Sequence, residues 1–196
     1  MTKKKEAVVK KLALDLGCGQ NKVSADFFKN DMQVEVHEVK GVDFVKIPGV
    51  DIVHDLTKFP YPVKEGTVDA IFSSHFVEHL DGPQRAKFMD ECYRMLKPGG
   101  KMRFIHPYYK SVRAVQDYTH RWPPIAETSY LYFDKNWREA NKLTHGFYDL
   151  KCDYQFNVYY TWQDPTWANK SEEARNFAIN HYFNVVADMI VDLVKR

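Results

Sequence analysis

The sequence predicts an α/β fold with helices on both faces of a mostly parallel sheet, and three stretches support that prediction. The apolar run Leu12–Leu16 leads directly into a turn with two glycines, which is typical of a buried strand that ends in a tight turn. Apolar residues recur at helical spacing over Phe88–Leu96. Leu150–Trp162 alternates apolar and polar residues in period two, which predicts a long strand with one buried face.

The glycines after the first strand mark the place where we expect a ligand. Gly17 and Gly19 stand on either side of Cys18. Without a Cβ, a glycine turn lets the backbone come close to a bound molecule. On an open parallel sheet the ligand crevice lies at the carboxyl ends of the strands, which is where this turn follows its strand. The sequence therefore predicts a binding site at residues 17–19.

Leu14–Gly19 resembles motif I of the class I methyltransferases, which use S-adenosylmethionine (SAM). Further segments resemble that family's later strand ends and turns, in the family's order, at residues 41–43, 50–56, 68–75, 78–80 and 96–101. Asn21 stands where the family often has a third glycine, and asparagine tolerates positive φ better than most residues. The resemblance spans residues 11–107 and implies a Rossmann-like, doubly wound sheet, mostly parallel, with an antiparallel C-terminal strand.

The resemblance also implies SAM as the cofactor and a set of residues that hold it. Gly17, Cys18 and Gly19 would let the turn approach the methionine part of SAM, with Asp15 supporting the turn. Asp43, at the end of the second strand, would accept hydrogen bonds from the ribose hydroxyls.

Two further strand ends complete the predicted cofactor site. Asp55 and Leu56 would flank the adenine, with the carboxylate accepting a hydrogen bond from the adenine amino group. Ser74 and His75 end the fourth strand, near the expected position of the sulfonium.

Four side chains are candidates for proton transfer: His79, His106, His120 and Asp117. Histidine is the side chain best suited to take a proton near neutral pH, and His106 or His120 is the preferred base if the acceptor is a hydroxyl. His79 is alternatively a structural histidine that bonds a neighbouring loop. Asp117 stands close enough to His120 to fix its tautomer or to share a metal ion with it. Because no clear third ligand accompanies that pair, no metal site is predicted.

Length, charge and cysteine content limit the class of protein. A chain of 196 residues is predicted to form a single domain, residues 1–196. The net charge of +2 neither requires nor excludes a nucleic-acid partner. The three cysteines form no Cys-x-x-Cys pair, which argues against a disulfide framework or a zinc site. Ala7–Val9 is too short for the apolar core of a signal peptide, and no run is long enough for a membrane span, so we expect a soluble, cytoplasmic protein.

The second half of the chain is rich in aromatic residues. All four tryptophans lie between residues 122 and 167. The segment 108–146 is predicted to be a lid over the acceptor site, where its aromatic side chains favour a flat or apolar acceptor or support the sulfonium; alternatively they form a second small core. An apolar stripe over 171–195 predicts an amphipathic C-terminal helix that packs on the sheet, or that makes a dimer contact, so the protein is expected to be a monomer or a homodimer.

The function implied by the resemblance is methyl transfer from SAM to a hydroxyl or amine of a small-molecule or polymer-borne acceptor. A nicotinamide-dependent oxidoreductase would need a glycine where Lys22 stands. DNA amino-methyltransferases carry an Asn/Asp-Pro-Pro-aromatic motif where this chain has Ser73–Phe76, so a nucleic acid is the less favoured acceptor. The alternatives are a SAM-binding sensor or partner subunit without catalysis, and an RNA methyltransferase.

Overall fold

The computed structural model describes residues 10–196, which are organised around one seven-stranded sheet. In chain order its strands are β1 (Leu12–Leu16), β2 (Glu38–Asp43), β3 (Ile52–Val53), β4 (Val68–Ser74), β5 (Leu96–Pro107), β6 (Tyr154–Trp162) and β7 (Val186–Lys195). They lie in the order β3-β2-β1-β4-β5-β7-β6. β7 is antiparallel to both of its neighbours, and the pairs among β1 to β5 are parallel. The predicted mostly parallel sheet with an antiparallel C-terminal strand is confirmed.

Helices and short 3₁₀ segments connect the strands. The helices are α1 (Ala25–Asn30), α2 (Gly82–Met95), α3 (Val112–Gln116), α4 (Lys135–Ala140) and α5 (Glu172–His181), and the 3₁₀ segments are Val77–His79, Glu127–Phe133, Gly146–Tyr148 and Pro165–Asn169. At the start of α2 the Asp81 side chain accepts from the Gln84 amide, and the Gln84 side chain accepts from the Asp81 amide. This capping box satisfies two amides that would otherwise have no partner in the helix.

The side chains of β1 divide between two apolar layers. Leu14 and Leu16 face the larger core, which also contains Phe88 of α2. Ala13 faces a smaller core, which contains Phe28 of α1. All five side chains are fully buried. Helices therefore cover both faces of the sheet, as the sequence predicts.

The C-terminal segment corrects one prediction. Instead of a single helix over 171–195, α5 ends at His181 and β7 begins at Val186. Valine and isoleucine occupy four of the ten positions of β7, and β-branched residues favour strands. The apolar residues that appeared to form a helical stripe belong to both faces of a strand, because Ile190 lies on the opposite face from Val191. In a helix the backbone amides and carbonyls of this segment would be bonded internally. In β7 they are bonded instead to the neighbouring strands β5 and β6.

Two other predicted strands are shorter in the structure. The third strand covers only Ile52–Val53 within the predicted 50–56 segment, and the alternating strand predicted from Leu150 begins at Tyr154. Within residues 10–196, no helix combines the length and the apolar character needed to cross a membrane.

The two halves of the C-terminal segment are expected to contribute very differently to stability. Leu193 is 0% exposed in β7, whereas Phe177 is 53% exposed on α5. We expect Leu193→Ala to lower the free energy of unfolding by about 2–5 kcal/mol, because it leaves a cavity in the core. Phe177→Ala should cost less than about 1 kcal/mol. Urea unfolding of both variants measures the difference, and equal losses would support one continuous amphipathic helix instead.

Candidate active site

The candidate site lies at the carboxyl ends of β1, β2 and β4, where the glycine turn is bonded to β2. The Gly17 amide donates to the Val42 carbonyl at 2.8 Å. The Gly19 amide donates to Asp43 Oδ2 at 3.0 Å. These bonds fix the position of the turn, and they bring together Gly17, Gly19 and Asp43, three of the residues that the sequence assigns to the cofactor.

Backbone conformation explains why glycine stands at both ends of the turn. Gly17 has φ of +75°, and a Cβ there would lie 3.2 Å from Phe76 Cβ. Gly19 has φ of +51°, and among the described residues no atom lies within 4 Å of the position its Cβ would take. L-residues rarely adopt such φ values. The turn is therefore closed on the Phe76 side and open on the side of Gly19, where a ligand has room.

Asp15 is bonded to the loop that follows the turn. Its Oδ2 accepts from the Val23 amide at 2.9 Å, which closes the loop behind the glycines. Burial raises the pKa of Asp15 to about 6, since Lys22 lowers that pKa by less than burial raises it. Cys18 is 8% exposed, and burial raises the pKa of its thiol to about 11. The thiol is therefore uncharged near neutral pH and is not a nucleophile.

The two acids predicted to bind the ribose and the adenine have different surroundings. Asp43 is 9% exposed, with Oδ2 bonded to Gly19 and Oδ1 accepting from the Val45 amide at 3.1 Å. Asp55 is exposed, and its Oδ1 accepts both the amide and the hydroxyl of Thr57. The bonds from Thr57 hold the pKa of the Asp55 carboxyl below its usual value. Leu56 is 4% exposed, so its side chain lies in the core beneath this turn.

The end of β4 carries a backbone conformation that is unusual for a side chain of this size. His75 has φ of +52°, and its amide donates to the Ile105 carbonyl at 2.8 Å. Its Nδ1 lies 3.2 Å from Glu78 Oε1, and this contact raises the pKa of His75 above its usual value. Ser74, just before it, is half-buried. Strained residues of this kind collect at functional sites.

His106 occupies a different environment from the other candidate histidines. It is 0% exposed; Nδ1 donates to the Pro107 carbonyl at 3.0 Å, and Nε2 lies 2.8 Å from the Tyr130 hydroxyl. Since a carbonyl only accepts, Nδ1 carries the proton and Nε2 accepts from Tyr130. Burial lowers the pKa of His106 to about 4. Both ring nitrogens are occupied inside the core, and this arrangement does not favour His106 as the base.

The remaining three candidates lie together beside the 3₁₀ segment Val77–His79. The rings of His79 and His120 contact each other with centroids 4.9 Å apart. Asp117 Oδ1 accepts the Thr119 hydroxyl at 2.6 Å, and that hydroxyl lies 3.0 Å from His79 Nδ1. Asp117 thus orients His79 through Thr119, while its Oδ2 stays 3.8 Å from His120 Nε2.

Two buried acids at this edge were missed by the sequence analysis. Glu78 is 5% exposed and lies beside His75 and His79. Asp188 is 7% exposed in β7, where Oδ2 accepts from Arg113 Nη1 at 2.8 Å. Among the described residues, Glu78 Oε2 and Asp188 Oδ1 have no hydrogen-bond partner. Glu78 belongs to the motif at residues 78–80, but nothing in the sequence indicates that its side chain is buried. Asp188 was missed because the sequence predicts a helix over 171–195.

Residues 108–146, here called the aromatic segment, are hydrogen-bonded to the residues that follow β4 and to α2. The Arg121 amide donates to the Glu78 carbonyl at 2.9 Å. Arg85 of α2 donates to the carbonyls of Val77, Arg121 and Pro123 at 3.1, 3.1 and 2.6 Å. The segment that begins after β5 is therefore held beside the residues that follow β4.

A cavity of about 720 Å³ lies between α2 and this segment. It is lined mainly by apolar side chains, including Val77, Met89, Ile125, Tyr130 and Phe133. The predicted cofactor residues do not line it. The cavity and the glycine turn are thus separate features of the site.

The part of the chain that carries the glycine turn is similar to known methyltransferases. Residues 14–104 match a family model described as a methyltransferase domain. A Mycolicibacterium smegmatis protein named "Probable S-adenosylmethionine-dependent methyltransferase" is 32% identical over 98 residues, which cover 44% of this chain and 34% of that protein. Over residues 14–104 the chain is therefore similar to SAM-dependent methyltransferases. It spans about a third of the length of this curated relative.

Solved structures share the fold over almost the whole chain. A SAM-dependent methyltransferase from Archaeoglobus fulgidus matches with a TM-score of 0.62 at 18% identity, over 95% of this chain and 86% of that one. Geranyl diphosphate C-methyltransferase from Streptomyces coelicolor matches with a TM-score of 0.56 at 14% identity, over 97% and 74% of the two chains. The fold described above is therefore shared with these two solved structures.

The buried carboxyl of Asp15 gives a testable pH dependence. Its pKa is about 6 in the folded protein against 3.8 as the reference value, so its contribution to stability is complete below the lower value and is lost as pH rises through the higher one. Asp15→Asn keeps an acceptor for the Val23 amide without the buried charge. We expect the variant to gain about 1–3 kcal/mol over wild type at about pH 8 and about a third as much at about pH 4.5.

Urea unfolding at both pH values measures this difference. Asp26→Asn, which changes an exposed acid on α1, is the matched control and should show no such gain. An Asp15→Asn advantage that is the same at both pH values would contradict the assignment of the effect to the carboxyl charge.

Proposed function

We propose that this protein transfers a methyl group from SAM to a hydroxyl or amine of a small-molecule or polymer-borne acceptor. The observation that carries the proposal is the bond between the Gly19 amide and Asp43 Oδ2, which joins the glycine turn to the acid at the end of β2. The open side of the turn at Gly19 gives a bound cofactor room beside the backbone.

Asp43 retains the hydrogen-bonding capacity that the ribose role needs. An ionised carboxylate has about four acceptor positions, and the amides of Gly19 and Val45 use two of them. The remaining two suit a pair of vicinal ribose hydroxyls. Asp55 similarly keeps Oδ2 for the adenine amino group, since both bonds from Thr57 go to Oδ1.

Methyl transfer from SAM requires little covalent catalysis by the protein. The acceptor atom attacks the methyl carbon in line, the bond between that carbon and the sulfonium breaks, and SAM leaves as S-adenosylhomocysteine. The acceptor's proton passes to a base or to water. Alignment of acceptor and sulfonium is therefore the main contribution expected of the protein.

The acceptor side of the site is assigned to His79 and His120 rather than to His106. Both histidines lie beside the segment that follows β4, and they are half-buried, whereas His106 is enclosed in the core. With Asp117 orienting His79 through Thr119, this pair is the group we propose to activate the acceptor hydroxyl or amine.

We propose that residues 108–146 cover the acceptor. Their attachment through Arg85 and Arg121 beside β4 supports this role. The apolar lining of the adjoining cavity favours an acceptor with an apolar or flat part. The three free, buried cysteines fit a reducing compartment, and the cytoplasm is the proposed location.

The first test concerns the cofactor. Asp43→Ala should weaken SAM binding roughly ten- to a hundredfold, because it removes charge-assisted hydrogen bonds of about 1.5–3 kcal/mol. Isothermal calorimetry with SAM measures the change. Asp26→Ala removes the same charge from the exposed face of α1 and should leave the affinity unchanged. Wild-type affinity in a folded Asp43→Ala protein would refute the ribose assignment.

The second test distinguishes a tryptophan that contacts the acceptor from one that packs in the protein interior. Trp122 is 81% exposed, whereas Trp137 is half-buried with its ring centroid 5.1 Å from that of Tyr132. Trp122→Ala should reduce turnover about tenfold with SAM affinity nearly intact, as expected for the loss of one aromatic contact. Trp137→Ala should instead lower the melting temperature.

Turnover is measured as S-adenosylhomocysteine released from SAM across a panel of hydroxyl and amine acceptors, with RNA included. Release with none of these acceptors, in a protein that binds SAM, would favour the sensor or partner-subunit alternative. If Trp122→Ala loses SAM affinity as strongly as Asp43→Ala does, the aromatic segment belongs to the cofactor site.

A further inference from the structure

The side chains of Glu78 and His79, which follow β4, lie close to that of His120 in the aromatic segment. Glu78, His79 and His120 each offer a ligand atom, and these atoms all lie within 4.8 Å of one another. The sequence analysis predicted no metal site because it found no third ligand near Asp117 and His120. The fold supplies Glu78 and His79, which stand about 40 residues away in the chain.

The hydrogen bonds around the two histidines select the tautomer that a metal ion needs. His120 Nδ1 lies 3.2 Å from the Ala114 carbonyl, which only accepts, so Nδ1 carries the proton. His79 Nδ1 faces the Thr119 hydroxyl, whose own hydrogen goes to Asp117. That hydroxyl therefore accepts from His79 Nδ1. Both Nε2 atoms are left with a free lone pair.

The carboxylate of Glu78 completes the set. Its Oε1 is held by His75, and its Oε2 is buried with no hydrogen-bond partner in residues 10–196. Leaving a carboxylate oxygen buried without a partner is costly, and a cation in the cluster would remove that cost.

We propose that Glu78, His79 and His120 bind a divalent transition-metal ion. Two imidazole nitrogens and one carboxylate oxygen are ligands for ions such as Zn²⁺, Fe²⁺, Mn²⁺ or Co²⁺, whereas Mg²⁺ prefers oxygen ligands alone. Around one ion, bonds of about 2.0–2.2 Å place neighbouring ligand atoms about 3–3.6 Å apart. Side-chain rotations that draw the three ligand atoms together by about 1 Å therefore close the site.

Hydrogen bonds from neighbouring residues hold the proposed ligands in place. Metal-binding histidines usually donate their other ring N–H to a carbonyl or a carboxylate-linked group, as His120 does to Ala114 and His79 does towards Asp117. The bond between the Arg121 amide and the Glu78 carbonyl holds the two contributing segments together.

Three protein ligands leave at least one coordination position open for a water molecule or a substrate oxygen. Provided that the proposed methyl transfer is correct, an acceptor hydroxyl bound there would lose its proton more readily, because the cation stabilises the alkoxide. This would explain why the acceptor side of the site is built from histidines.

The test measures metal binding in the absence of SAM and acceptor, so it does not depend on methyl transfer. Tag-free, chelator-treated protein is titrated with Zn²⁺ by calorimetry and with Co²⁺ by visible absorption. We expect one equivalent to bind, with millimolar Mg²⁺ unable to displace it. Glu78→Gln, His79→Ala and His120→Ala should each weaken Zn²⁺ binding at least tenfold. His181→Ala, which changes an exposed histidine on α5, is the control and should bind as wild type does.

A second pair of variants leaves all three ligands in place. Thr119→Val removes the group that orients His79 and should weaken Zn²⁺ binding roughly ten- to a hundredfold, whereas Thr119→Ser restores the hydroxyl and should bind close to wild type. Melting curves confirm that each variant is folded. The proposal is overturned if wild type binds no equivalent of Zn²⁺ or Co²⁺, or if the three ligand variants and Thr119→Val all bind as tightly as His181→Ala.

Discussion

The parallel pairing of β1 with β2 and β4 is the constraint on which the rest of the molecule depends. The register places Asp15 opposite Gly41 and Leu16 opposite Val42. Only in this register does the chain leave β1 with Gly17 bonded to Val42 and Gly19 bonded to Asp43. A slip of one residue would turn the leucines of β1 out of the core and reverse the side chains at the strand ends. Core packing and ligand geometry are thus specified by the same hydrogen-bond ladder.

The same edge of the sheet concentrates buried acids. Asp15, Asp43, Glu78 and Asp188 are each less than a tenth exposed, and they follow or belong to four different elements. Backbone amides hold the first two, whereas His75 and Arg113 face the last two. Such a concentration of carboxylates produces a negative local potential. That potential suits a cofactor whose reacting centre is a sulfonium cation, and it suits a metal ion equally well.

Local patterns and the motif resemblance made the fold of residues 11–107 largely predictable. The start of α2 could be read from Asp81 and Pro83, because capping depends on residues that are close in sequence. β7 could not be separated from a helix, since Ile190 and Val194 make its less buried face apolar as well. Only the pairing with β5 and β6 decides the matter.

The candidate site shows a similar division between local and tertiary information. Gly17, Gly19 and Asp43 follow motif positions and come together as expected. The environment of His106 depends on Tyr130, and the cluster of Glu78 with His120 depends on how the aromatic segment folds back. Burial and tautomer are set by such distant partners, so a histidine's role could not be read from its sequence position alone.

Arg85 restricts the movement of the aromatic segment. Its guanidinium is bonded to three carbonyls at once, and burial lowers its pKa from the usual value. Opening the aromatic segment as a flap would break all three bonds and leave the guanidinium of a half-buried arginine without them. In many enzymes lid movement limits turnover. Here the segment near Arg121 and Pro123 is held in place by bonds that are already formed, and moving it away from α2 would require all three to break.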